Sequence, residues 1–269
     1  MHTQNSIKKT YQVQQLYSDT FPELFDTETE AIEYTLHDNR VGLYFTITSC
    51  YQNVHRGTNL FRATIIMPVW QCPARTLRAI KSVIAQDTNG WQLICIGDGC
   101  NQFADLLKSN WLKEAQAKAY IDGNEIIALN TEHFGGYGYH QRELAKQMAT
   151  GKWTMYLDND DDILPTHVST RLNEAEFGPD PIDLIYFDTW LQPTNWHRDA
   201  QLEYGRIGHS EVMYRTSLLK QLSPMPDTYG HDWSQIDEAI KKGAKHRKGG
   251  GDRTYIVRSL PSQKETGID

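Results

Sequence analysis

Asp158-Asn159-Asp160-Asp161-Asp162 places four carboxylates in five positions directly after an apolar run, Trp153 to Leu157. Mutual repulsion makes such a cluster costly unless a cation neutralises it, so a divalent metal is the expected guest. A calcium loop of the EF-hand type is excluded, because Ile163 stands where that loop needs Gly and Ser169 where it needs Glu. Oxygen donors favour Mg2+ or Mn2+. The plainer alternative is a solvated acidic turn.

Three further segments could join such a site. Gly97-Asp98-Gly99-Cys100-Asn101 sets one acceptor carboxylate between two glycines, where a ligand can approach the backbone; alone it also reads as a tight turn capping a helix. His133 to His140 is a glycine-aromatic loop entering a helix with Arg142 in its first turn, where a guanidinium could meet a phosphate. Tyr229-Gly230-His231-Asp232-Trp233 opens a helix with apolar positions Trp233, Ile236 and Ile240, in which Asp232 is either an N-cap or a reacting carboxylate.

The elements that must position these residues read as α/β. Short continuous apolar runs alternate with 3.6-period segments, the pattern of buried parallel strands joined by helices. Strands are expected at Ala63–Val69, Trp91–Gly97, Glu125–Leu129, Trp153–Leu157 and Asp183–Phe187. Helices are expected after Pro73 (Leu77, Ile80, Ile84), as one segment through Phe103, Leu106, Leu107, Trp111 and Ala115, through Leu144 and Met148, and over His167–Phe177. Ligands of such sheets bind at the carboxyl ends of the strands, which brings the Asp98 and Asp158 loops to one edge. Residues 1–61 read as an N-terminal extension, with a capping-box helix at Thr27–Leu36, an apolar run Val41–Ile47 and a linker at Gln52–Asn59; residues 62–269 read as the main domain. The extension is expected to pack on the sheet, make a homodimer contact or position an acceptor.

Composition removes several functions. Among 269 residues, 27 Lys+Arg against 34 Asp+Glu give a formal charge of −7, so no nucleic-acid partner is expected. No apolar stretch approaches the roughly 20 residues of a membrane span, so no integral membrane segment is expected. The polar start lacks a secretion signal, which makes cytoplasm the default compartment. Four cysteines form neither a CxxC pair nor a disulfide framework. Neither G-x-G-x-x-G nor a P-loop occurs, which weakens hydride-transfer and ATPase readings.

From Ala63 to Arg258 these pieces together resemble the family 2 glycosyltransferases of GT-A fold, with a Rossmann-like nucleotide-binding sheet flanked by helices. Ala63 to Trp70 resembles the family's opening strand, whose end brings Pro68 and Val69 to the donor, and Leu77–Gln86 its following helix. Ile94 to Cys100 resembles V-V-D-D-G-S, with Gly97 in place of the first Asp; the resemblance gives Asp98 the role of reading a uracil ring. Arg142 aligns with the arginine of A-R-N, although Gln141 and Glu143 depart from that element. Tyr156-Leu157-Asp158-Asn159-Asp160-Asp161 matches L-D-x-D-D, which implies that Asp160 holds the metal, that Asp158 lies near the ribose or a metal-bound water, and that Asn159 belongs to the donor site. Gly230-His231-Asp232-Trp233 is similar to E-D-W with His231 in place of Glu, which makes Asp232 the general base.

The implied function is a metal-dependent (Mn2+ or Mg2+), inverting transfer of a sugar from a UDP-sugar to a hydroxyl of a saccharide or other acceptor. Glucose is the default sugar because it is common. Trp190, Trp196, Tyr204 and His209, with His231 and Trp233, are the candidate acceptor contacts, and core packing is their alternative role. His246 to Gly251, basic and glycine-rich, reads as a lid or a mobile loop, with His246 as a further candidate ligand. No Q-x-x-R-W follows Asp232, which favours single transfers over processive synthesis. The competing readings are a silent nucleotide-sugar or glycan-binding protein and a nucleotidyltransferase.

Overall fold

The computed structural model describes residues 61–258 except 72, 179, 229 and 251, together with three strands nearer the N-terminus. The expected helix at Thr27–Leu36 and linker at Gln52–Asn59 lie outside the described residues. The chain divides into two compact units, Met1–Thr58 and Asn59–Asp269. In the first, β1 (Lys9–Gln15) pairs antiparallel with β2 (Glu23–Phe25) and with β3 (Phe45–Tyr51).

The second unit is built on a seven-stranded mixed sheet. Its parallel part comprises β4 (Phe61–Val69), β5 (Trp91–Asp98), β6 (Glu125–Thr131) and β7 (Gly151–Tyr156). Beyond β7 lie β12 (Val212–Arg215), β9 (Leu184–Tyr186) and β13 (His246–Lys248), giving the order β13-β9-β12-β7-β4-β5-β6. Residues 63–69 of β4 and all of β5 are buried, as continuous apolar strands covered on both faces require. The covering helices include α1 (Pro73–Ile84), α4 (Tyr139–Met148) and α5 (His167–Glu176). A second sheet, β11-β10-β14-β8, joins Trp196–Arg198, Thr189–Leu191, Tyr255–Val257 and Asp162–Ile163.

Three expectations are corrected. The single helix through Phe103 and Ala115 is two, α2 (Asn101–Lys108) and α3 (Asn110–Ile121), because Ser109 takes an extended conformation and its hydroxyl accepts from the Leu112 amide as an N-cap. The sheet is not all parallel: β12 runs antiparallel to both β7 and β9. Reversal of β12 brings the turn before it, His209–Glu211, to the edge where β4 to β7 end. His246–Lys248 is not a lid, since it forms the edge strand β13 against β9.

The helix α7 (His231–Lys241) begins beside that turn, where the Tyr156 hydroxyl donates to Gln235 Oε1 at 3.1 Å. Its buried face is His231, Gln235, Ile236 and Ala239, with Trp233 and Ile240 only partly covered. Among the described residues no helix is long and apolar enough to cross a membrane.

Candidate active site

Arginines neutralise much of the acidic turn after β7. Asp158 Oδ1 accepts from Arg142 Nη2 at 2.6 Å. Asp162 accepts from Arg78 Nε at 2.7 Å and from Arg258 Nη2 at 2.6 Å. Asp161 is buried and accepts from the Tyr255 hydroxyl at 3.0 Å and the Arg258 amide at 2.8 Å. Burial, with Asp160 and Asp158 close by, pushes its carboxyl well above the usual range. Asp158 and Asp160 remain partly exposed on this turn, and their oxygen-only chemistry fits a hard dication. No third His, Cys or acidic ligand converges on them among the described residues. Asn159 ties the turn to the first turn of α1, donating to Thr76 Oγ1 at 2.9 Å.

Asp98 ends β5 at the same edge but is only 4% exposed. Its Oδ1 accepts from the Phe134 amide at 2.6 Å and from Gln141 Nε2 at 2.8 Å; its Oδ2 accepts from the Gly135 amide at 3.0 Å and faces His133 Nδ1 at 3.1 Å. In this structure Asp98 orders the 133–135 loop. Gly97 is explained by its surroundings: a Cβ there would lie 2.2 Å from Asn130 Oδ1 and 2.6 Å from Phe103 Cδ1. The Asn130 amide fills that space and pairs with the backbone of Cys100.

Trp70, absent from the expected site, stacks on His133 of the expected loop, their rings 4.5 Å apart with Trp70 45% exposed. The sequence signal was an aromatic residue directly after a strand end. Pro68 and Val69 are buried, so their side chains serve packing. A Cβ on Gly138, at φ +78°, would come within 2.9 Å of Pro68 Cβ and 3.0 Å of Arg142 Nη1, so this turn needs glycine. Arg142 is buried and bridges the Tyr137 carbonyl (2.7 Å) to Asp158.

Asp232 lies in the first turn of α7, where the helix dipole favours a negative charge. Its Oδ2 accepts from the His209 amide at 3.4 Å, and its Oδ1 is 3.7 Å from His231 Nε2. Burial opposes its ionisation, but His209, His231 and Arg142 outweigh that, holding the carboxyl below its usual range. Burial lowers His209 to about 3. Arg142 lowers the Asp232 carboxyl and Asp158 raises His231, so the β7 turn and the start of α7 lie within electrostatic reach of each other.

The aromatic candidates separate. Trp190 and Trp196 belong to the second sheet, Trp196 at 61% exposure and Trp190 partly covered; Tyr204 is exposed; Trp233 is half-covered. His209 and His231 are buried beside Asp232 rather than displayed on the surface. His246 is exposed at the start of β13, separated from β7 by two strands, roughly 14 Å at the usual strand spacing.

Residues 64–243 match the model of glycosyl transferase family 2, and the chain belongs to that family. It is 28% identical over 109 residues to an Escherichia coli K12 protein named as a colanic acid biosynthesis glycosyl transferase, covering 40% of this chain and 36% of that protein. It is 23% identical over 167 residues to a PGL/p-HBAD biosynthesis glycosyltransferase of Mycobacterium tuberculosis H37Rv, covering 60% of this chain and 62% of that one. The chain thus spans between about a third and three fifths of the length of these curated relatives. S. aureus TarS residues 1–349 superpose with TM-score 0.56 at 15% identity, over 73% of this chain and 60% of that one. The mannosyltransferase PcManGT of Pyrobaculum calidifontis, in complex with GDP-Man and Mn2+, superposes with TM-score 0.55 at 14% identity, over 75% and 58%. The fold is GT-A.

Proposed function

We propose that the chain catalyses inverting transfer of a sugar from a UDP-sugar to an acceptor hydroxyl. The observation that supports this reading is that Arg142, ion-paired to Asp158, lies within electrostatic reach of Asp232. TarS has been solved with UDP and with UDP-GlcNAc, which supports a nucleotide-sugar donor of this kind.

Asp232 is ionised at neutral pH, as a base that takes a proton must be. The acceptor oxygen attacks the anomeric carbon while its proton passes to an Asp232 oxygen. The bond from that carbon to the donor phosphate breaks, and the nucleoside diphosphate leaves with the electron pair. Mn2+ or Mg2+ held by Asp160 and Asp158 would neutralise charge on the diphosphate. Arg142 holds Asp158 in place and adds positive charge at the same edge. The Asp98-ordered loop and the Trp70–His133 stack border the space for the nucleotide base.

Asp232→Asn keeps the shape and removes the base. It should lower kcat by about 10²- to 10⁴-fold and leave donor affinity within a few-fold. Unchanged turnover in Asp232→Asn would remove Asp232 from the mechanism.

A further inference from the structure

We propose that His209, His231 and Asp232 form a transition-metal site, distinct from the oxygen-only donors of the β7 turn, that takes Zn2+ or a chemically similar dication. One ligand atom from each lies within 4.8 Å of the others, and they are the one such group among the described residues. His231 Nδ1 is 3.0 Å from the Thr228 carbonyl, which can only accept, so Nδ1 carries a proton and, in the neutral ring, Nε2 holds the lone pair. That lone pair faces Asp232 Oδ1 at 3.7 Å, two electron-rich atoms with room for a cation between them. A backbone carbonyl fixing the far nitrogen is the usual support of a ligating imidazole.

His209 supplies the independent observation. Its ring is 3% exposed, and beyond an interaction with the Gln235 side chain neither ring nitrogen has a hydrogen-bond partner. Such a group is costly to bury unless something fills its lone pair. The ring is held by Tyr156 at 4.6 Å and lies 5.6 Å from the ring of His231. The preceding Gly208 is pinned by its amide to Glu211 Oε2 at 2.8 Å. Tetrahedral ligands at zinc distances sit roughly 3.4 Å apart, so the largest gap here closes with about 1.4 Å of side-chain movement. Asp232, with 35% of its side chain exposed, provides the entry path. Two imidazoles and one carboxylate suit Zn2+ or Co2+ better than Mg2+. A dication here would occupy the Asp232 lone pair, so occupancy and action as a base exclude each other; that consequence rests on the proposed function, whereas the binding site does not.

The test is a visible-absorption titration of the full, untagged, chelator-stripped chain with Co2+, without nucleotide sugar. The expected result is a saturable 1:1 complex with d–d bands, displaced by Zn2+ and not by Mg2+. His231→Asn and, separately, His209→Asn should weaken it at least about tenfold, with folding checked by thermal melts, while Asp160→Asn leaves it intact. No saturable complex in the wild-type chain would overturn the proposal and would favour a protonated His231 paired with Asp232. Binding untouched by His231→Asn, or lost only in Asp160→Asn, would overturn it equally. Retained transfer activity beside absent Co2+ binding would leave the proposed function standing.

Discussion

Gln141 donates from Nε2 to Asp98 Oδ1 across 2.8 Å, joining the first turn of α4 to the end of β5 beneath the 133–135 loop. The bond is buried, Gln141 being 1% exposed. Gln141→Leu should therefore destabilise the chain by about 1–3 kcal/mol, the range for stranding one partner of a buried hydrogen bond. Urea denaturation measures this, and an unchanged midpoint would show that Asp98 needs no donor from α4.

Restoring the family residue at position 97 should harm rather than help. Gly97→Asp drives a Cβ to within 2.2 Å of Asn130 Oδ1, and the expected loss is about 1–3 kcal/mol. Pairing it with Asn130→Ala should recover part of that loss. Equal stability of Gly97→Asp and wild type would refute the account of this departure.

Trp70 tests where the nucleotide base lies. Stacking of a base on an exposed aromatic contributes about 1–3 kcal/mol, so Trp70→Ala should weaken donor affinity by about fivefold or more in calorimetry. An unaltered donor affinity would move the base away from this ring.

His167 carries a pH dependence. It is fully buried with Nδ1 2.7 Å from Thr254 Oγ1, and burial, with Arg171 second, lowers it well below 6.5. Above about pH 6.5 both folded and unfolded forms are neutral and it contributes nothing. As the pH falls below that value the unfolded chain takes up a proton that the folded chain refuses, so stability declines. Urea midpoints at pH 7.5 and 5 should fall further apart in the wild type than in His167→Gln. Equal differences would show that His167 protonates freely in the fold.

The strands β4 and β5 were legible because fully buried parallel strands write themselves as continuous apolar runs, and Ala63–Val69 and Trp91–Gly97 do so. The break at Ser109 was not, since apolar periodicity runs on through Leu107 and Trp111 and only a serine in extended conformation interrupts it. β12 was missed because four residues, Val-Met-Tyr-Arg, carry too little pattern to distinguish a strand, and its antiparallel sense has no local signature. With β12 went the reason His209 reaches the site. The acidic turn was visible as a cluster, but the arginines that pair with it lie 16 to 96 residues away in sequence and are joined to it only by the fold.

The most direct measurement of the central claim is nucleoside diphosphate release from a panel of UDP-, GDP- and TDP-sugars, with and without Mn2+, in wild type and Asp160→Ala. Release from a UDP-sugar that depends on Mn2+ and disappears in Asp160→Ala is the expected result. Silence of the folded, nucleotide-binding wild type across the panel, with saccharide acceptors supplied, would contradict transfer and favour a protein that only binds nucleotide sugars.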